Sequence, residues 1–352
     1  MIVRALEAGN KLAVRAPPGP RRECRCASAD GLAPRRPGAD VFPLAPILHS
    51  AKGSPRARPQ RAPPTDRDRM PTPDHGPLQE RITEIASAAG TRAMAVSWYD
   101  YESRTAWSLN GDRWFHAAST IKVPVLLGVM GAVAHGDMAL ESRVHVRNRF
   151  IGVADKQPFR VESERDANAA VHAARGRTMR VEELAFHMIC TSSNLATNLL
   201  IDLIGIRPMQ DSLKELGVQG VELRRGVEDE RAFEEGINNR VTADGLVGVL
   251  RLIEEGMAFN VEVSAKALEI LHEQEFRSGI PAGVPSDARV ANKTGEISTV
   301  AHDAAIVYLP DRRPYVLVVL TEWAPKDGGR HDTIARVSRA VYQHLAGQGR
   351  KG

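Results

Sequence analysis

The chain has 352 residues, 43% of them hydrophobic and 26% charged. That is ordinary for a soluble globular protein and enough for one large domain or two lobes. The formal charge is +4, but residues 1–76 carry 14 Lys and Arg against 7 Asp and Glu, so the remainder is mildly acidic and the basic character belongs to the leading segment. Three cysteines give no disulfide framework.

The leading segment is rich in Pro, Arg, Ala and Gly and shows neither a helical nor a strand period. It has too few apolar residues to offset the entropy of ordering, so residues 1–76 are expected to be disordered. No aromatic residue interleaves with the arginines, so no nucleic-acid partner is expected. No export signal is readable. Met1–Ala16 is broken by Arg4, Glu7, Lys11 and Arg15, and Val41–Leu48 is interrupted by Pro43 and Pro46. Neither supports a signal core or a membrane span, and localisation stays open. An alternative origin for the segment is translation from Met70.

In the body, Leu78–Ala89 has helical periodicity and Gly90 as a stop. Arg92–Tyr99 and Thr105–Leu109 read as strands joined through Glu102–Arg104. A helix is expected from Ser119 to near Gly131–Gly136, then a mixed stretch with a helical piece at Asn168–Ala174. Val181–Ile189, Leu195–Ile204 and Met209–Leu216 follow as helices, with Cys190 in an apolar run that predicts a buried thiol. Arg224–Arg240 is a polar loop. Thr242 caps a helix over Ala243–Glu255, and Ser264 is taken as the cap of another reaching about Gln274. Arg289–Lys293, Ala301–Leu309 and Tyr315–Thr321 are strands, the last two joined by Pro310–Pro314. Thr333–Ala346 is an amphipathic helix.

This order predicts an α+β fold. An antiparallel sheet is built from both ends of the chain and packed by the N- and C-terminal helices. Residues 77–350 form the domain, with a sheet lobe over 77–115 and 280–350 and an inserted helical lobe over 116–279. A site is expected between the lobes.

Three short motifs carry chemistry. Ser119-Thr120-Ile121-Lys122 places a hydroxyl and an amine three apart, on one face of a helix and within about 5–6 Å on average geometry. The amine can then activate the hydroxyl as a nucleophile. Alone, such a pair is common on a solvated helix. Ser192-Ser193-Asn194 opens a helix and alone reads as caps and turn formers. Lys293-Thr294-Gly295 alone reads as a strand end turning on its glycine.

Together and in this order the motifs resemble those of the penicillin-recognising serine hydrolases, most closely the class A β-lactamases. The resemblance runs from about Leu78 to Ala346 and includes Asn198-Leu199-Leu200 and Ile280-Pro281. It implies a β-lactamase/transpeptidase-like fold and an acyl-enzyme at Ser119, with Lys122 as base. Ser192 passes a proton to the leaving nitrogen. Asn194, Lys293, Thr294 and Gly295 hold substrate, and the oxyanion lies at the N–H groups of Ser119 and Glu296.

The chain departs from the family pattern in three places. The family's Glu and Asn, four apart, stand in a loop after the second motif. Here one count lands on Glu228 and another on Val227, with Ala232 or Arg231 four later. Glu228 is the candidate for removing the acyl group. Ser193 replaces an Asp, and Glu296-Ile297-Ser298-Thr299 replaces smaller residues. His302-Asp303 has no other His or Cys at ligand spacing, so neither metal nor cofactor is expected. The expected activity is β-lactam hydrolysis by a monomer. D,D-peptidase, penicillin-binding or esterase activity is the alternative, and a non-catalytic binding protein of the same fold is the third reading.

Overall fold

The computed structural model describes residues 75–325 and 328–348. Residues 1–74 of the leading segment, with Cys24, Cys26 and the start at Met70, lie outside the described residues; Gly76, expected to be disordered, begins the helix Gly76–Ala89.

Five antiparallel strands form the main sheet, in spatial order Arg289–Ile297, Val300–Leu309, Arg312–Glu322, Ala93–Asp100 and Thr105–Leu109. The pairing Ala93↔Glu322 through Asp100↔Tyr315 joins the two ends of the chain at the middle of the sheet. Alternate residues face opposite sides of a strand, and here both sides are covered. Leu317, Val319 and Trp98 pack with Ile82, Ile334, Val337 and Val341 of the terminal helices Gly76–Ala89 and Arg330–Gln348. Val316, Val318 and Leu320 face a second core that includes Leu126, Met130, Leu184, Leu199 and Leu250. Arg92–Tyr99 and Tyr315–Thr321 were therefore legible as apolar runs, because two-sided burial removes the polar alternation.

The helix Lys122–Ala134 runs through that second core. It is apolar around its whole circumference, with every residue from Lys122 to Ala132 buried, as expected of a helix with no solvent face. Pro124 sits in its first turn, where the missing N–H would have no helical acceptor. Around it pack Val181–Cys190, Asn194–Ile204, Ile206–Glu215 and Val261–His272, while Ala243–Glu254 lies between the sheet and Val261–His272. Cys190 is a free, buried cysteine, and burial pushes its thiol well up from the ordinary value.

Some boundaries differ from expectation. Asn260, not Ser264, caps the helix Val261–His272: its backbone is extended and its side chain accepts from the Val263 N–H. Ser264 lies inside that helix, and its hydroxyl donates to the Asn260 carbonyl at 2.7 Å. The segment Arg312–Pro314 belongs to a strand rather than to the preceding turn. The polar loop from Arg224 contains a one-turn helix, Glu230–Glu234, capped by Asp229. The strand from Arg289 continues to Ile297, so the third motif lies within it rather than at its end.

Candidate active site

Ser119 does not lie in an α-helix. Ala118–Ile121 is a single 3₁₀ turn that leads into the helix at Lys122. Ala118 has φ 45°, a left-handed conformation that costs a non-glycine residue roughly 1 kcal/mol or more. Two histidines outside the motifs hold this turn. His302, fully buried, contacts the His116 carbonyl through Nε2 at 2.9 Å, and its Nδ1 accepts from the Thr321 N–H. His116 Nδ1 accepts in turn from the Ala118 N–H at 3.1 Å. Burial pushes both imidazoles down to about 4, so both are neutral near pH 7.

Contrary to the expectation from helical spacing, the amine of Lys122 does not bond the hydroxyl of Ser119. Its Nζ donates to the Ser192 carbonyl at 2.7 Å, the Ser192 hydroxyl at 3.0 Å and Asn194 Oδ1 at 2.7 Å. Three acceptors from the second motif outcompete a neighbour in the same motif. Lys293 approaches Ser192 Oγ from the strand side, also at 3.0 Å, and donates to the Thr294 carbonyl at 2.8 Å. Both lysines are fully buried. Two amines therefore converge on one hydroxyl oxygen. That oxygen has two lone pairs to accept with and one proton left to give.

Burial acts on both amines, and at Lys122 repulsion from Lys293 adds to it. Burial pushes Lys122 well below the usual lysine range, and the neighbouring Lys293 pushes it further, against the pull of Asp166 and Glu228. Burial brings Lys293 down to about 7, against the pull of Asp303. A lysine must be neutral to accept a proton, and the shift of Lys122 is toward that form.

Ser192 itself has φ 58°. The next residue, Ser193, caps the helix Asn194–Ile204 by accepting from the Ala196 N–H. Asn194 spans the site. Its Oδ1 accepts from Lys122, and its Nδ2 donates to Glu228 Oε1 at 2.6 Å.

Glu228 is thus brought to the lysine cluster, whereas Val227 is not. Asn198, 2% exposed, clamps the Val227 backbone at both its N–H and its carbonyl, each at 2.8 Å. The chain then turns through φ 59° at Glu228, which sends that carboxylate inward. The loop is held from below by Arg225 and Asn239 and from its far side by Asp229, which accepts from the Val153 N–H. No asparagine follows Glu228 at the family's spacing. Ala232 is a fully buried alanine, and Arg231 pairs with Glu234 and Glu235.

Across the site, Gly295 lies against the turn that carries Ser119. A Cβ there would sit 2.9 Å from the Ser119 nitrogen and 2.8 Å from the Thr120 nitrogen. These are backbone atoms that cannot swing aside. Gly295→Ala is therefore expected to push the strand off the turn and slow covalent labelling of Ser119 by about 10²-fold, the cost of misplacing reacting groups by roughly 1 Å. Labelling kinetics with a fluorescent penicillin check this. Thr294 is 8% exposed. Glu296 stays near the surface, paired with His331 at 2.9 Å and 3.7 Å from Arg330.

The motif residues Ser119, Lys122, Ser192, Asn194 and Lys293 thus meet with Glu228 in one region, and Gly295 seals its strand side. His116, His302, Asp166 and Arg225 were not singled out from the sequence as contributors to it. Among the described residues, no group of three or more His, Cys, Asp or Glu is placed to hold a metal ion.

Comparison with known proteins gives the family and the fold. A sequence model described as the β-lactamase enzyme family matches residues 77–345. A curated relative, Beta-lactamase 1 of Streptomyces cacaoi, is 30% identical over 178 residues, 46% of this chain. The match spans about half of that relative's length, 52%. Among solved structures, PBP-A superposes with a TM-score of 0.67 at 25% identity, covering 77% of this chain and 97% of that one. A β-lactamase from Sphaerobacter thermophilus superposes with a TM-score of 0.66 at 28% identity, covering 78% and 98%.

Proposed function

Because the chain belongs to the β-lactamase enzyme family, we propose that it hydrolyses β-lactams through an acyl-enzyme at Ser119. The observation that carries this reading is the convergence of two buried amines, Lys122 and Lys293, on the hydroxyl of Ser192. A solvated surface has no use for two lysines held at 0% exposure.

The steps follow from the proton inventory. The Ser119 oxygen attacks the lactam carbonyl and gives its proton to Lys122, which in its neutral form has two N–H groups for its three acceptors and gains the third with that proton. The tetrahedral oxyanion is met by the backbone N–H groups of Ser119 and Glu296, donors that cost no reorganisation. As the C–N bond breaks, Ser192 donates its proton to the departing nitrogen. It recovers one from Lys122, its direct hydrogen-bond partner. Lys293 holds the Ser192 oxygen in line and, with Thr294, offers charge and a hydroxyl to an anionic group of the substrate. Glu228 then takes a proton from water, which attacks the ester carbon; as the C–O bond to Ser119 breaks, that proton passes back to the departing Ser119 oxygen, so both groups return to their starting forms.

A second reading has its own observation. Ala232 stands where an amide would help Glu228 hold water. A site that acylates and releases slowly is a penicillin-binding protein acting on D,D-peptides or related esters. A solved structure of a Leu-to-Glu variant of PBP-A is an acyl-enzyme complex with penicillin G.

One experiment tests both. The full chain is incubated with a chromogenic cephalosporin while product release and protein mass are followed. Turnover with a transient adduct on Ser119 is expected. A stable adduct on Ser119 without turnover replaces the first reading with the second. No adduct with any β-lactam overturns both.

A further inference from the structure

A buried carboxylate outside every motif takes the place left by Ser193. Where the second motif of such hydrolases reads Ser-Asp-Asn, an acid stands in its middle; this chain has Ser193 there. Asp166, 27 residues earlier, fills the gap. Its side chain has 0% exposure. Oδ1 accepts from the Asn194 N–H at 3.1 Å, and Oδ2 from the Leu195 N–H at 2.9 Å and the Ser193 hydroxyl at 3.1 Å. The Asn168 N–H reaches Oδ1 at 3.3 Å, and His172 Nε2 lies 3.1 Å from Oδ2.

Two of those donors are the first free N–H groups of the helix Asn194–Ile204, where negative charge is favoured. The carboxylate and Ser193 are not a second nucleophilic centre. The acid lies between serine and histidine, whereas a triad needs the histidine in the middle, and Ser193 is fully buried.

We propose that Asp166 is the positioning residue of the second motif, supplying from a separate segment the carboxylate that fixes the Ser192–Asn194 loop against Lys122. This rests on the reading of Ser119 as the nucleophile. The loop needs such a brace. Ser192 is held at φ 58°, and Lys122 donates two bonds to Ser192 and one to Asn194. With the carboxylate gone, the backbone N–H groups of Asn194 and Leu195 lose their acceptor, and the loop loses its brace on the side away from the lysines.

The test uses the full chain and four proteins: wild type, Asp166→Asn, Asp166→Ala and the double variant Asp166→Ala/Ser193→Asp. Two quantities are read, the rate of labelling of Ser119 by a fluorescent penicillin and the exchange of the Asn194 and Leu195 amides. Both single variants are expected to label about 10²-fold more slowly, as for groups displaced by roughly 1 Å, and to exchange both amides faster. The double variant returns a carboxylate to the same amides from the neighbouring position. It is expected to recover both readouts. A merely structural role predicts lower thermal stability with labelling unchanged below the transition. That outcome, or a double variant that folds without recovery, overturns the proposal. Fast exchange at both amides in the wild type overturns it even if the single variants fail to fold. If the wild type takes no label, the serine reading fails alone, and amide exchange still decides the role of Asp166.

Discussion

Ser119→Ala is expected to remove the covalent adduct entirely and to lower cephalosporin turnover by about 10⁵–10⁶-fold, the loss seen when a nucleophile acting within a catalytic unit is deleted. The fold should survive. Ser119 is only half-buried, and its hydroxyl is not an acceptor of either lysine. Intact-protein mass after exposure to a penicillin is the measurement, and an adduct of unchanged yield in Ser119→Ala would rule the assignment out. In the wild type, the same labelling should fall at both ends of its pH range. Burial and the neighbouring Lys293 hold Lys122 well below the ordinary lysine value, and its proton-accepting form is lost as pH falls. Lys293 is held at about 7, so the charge it offers the substrate is lost as pH rises through that value. The two amines share one hydroxyl, so the limbs belong to the pair rather than to one lysine.

Glu228→Gln is expected to separate the two chemical steps. On the proposed route acylation uses Ser119, Lys122 and Ser192 and should stay within a few-fold of wild type, since glutamine can still accept from Asn194 Nδ2. Release needs a group that takes a proton from water. An amide cannot, and general base catalysis contributes about 10²–10⁴-fold. The variant should accumulate adduct at Ser119 and turn over more slowly by that factor, measured as a burst followed by a slow phase. Unchanged release would remove Glu228 from the mechanism. Val227→Gln is the control. Its backbone is clamped by Asn198, and the adjacent turn directs Glu228, not Val227, to the cluster.

The sequence made some of this site readable and hid the rest for physical reasons. The three motifs are local, so Ser119, Lys122, Ser192, Asn194 and Lys293 could be found by type and spacing. The pairing of Ser119 with Lys122 could not be ranked against rivals, because the acceptors that win the amine come from 70 residues away. Asp166 has no motif at all, and its role exists only once its segment folds onto the Asn194 helix. The register of Glu228 turned on a positive φ that no residue type there announces. Among the elements, long apolar runs were legible. The two-residue strands Phe115–His116, Val221–Glu222 and Arg240–Val241 were not, because two residues carry no period. Asn260 and Ser264 are both cap-forming types, and the reading of Ser264 as the cap failed because type alone does not show which of them has the extended backbone.

The pairing of Ala93–Asp100 with Arg312–Glu322 also governs how the protein is made. On the ribosome, the strand from Ala93 must wait for nearly the whole remaining chain before its central neighbour emerges. Until then one of its edges is unpaired and apolar, a template for other chains. Contacts of such long sequence separation also slow folding. The helices between Lys122 and His272 can gather earlier from local contacts. Synthesis therefore passes through a stage with an assembled helical part and an orphan hairpin, and the yield of soluble protein depends on how well that hairpin is shielded.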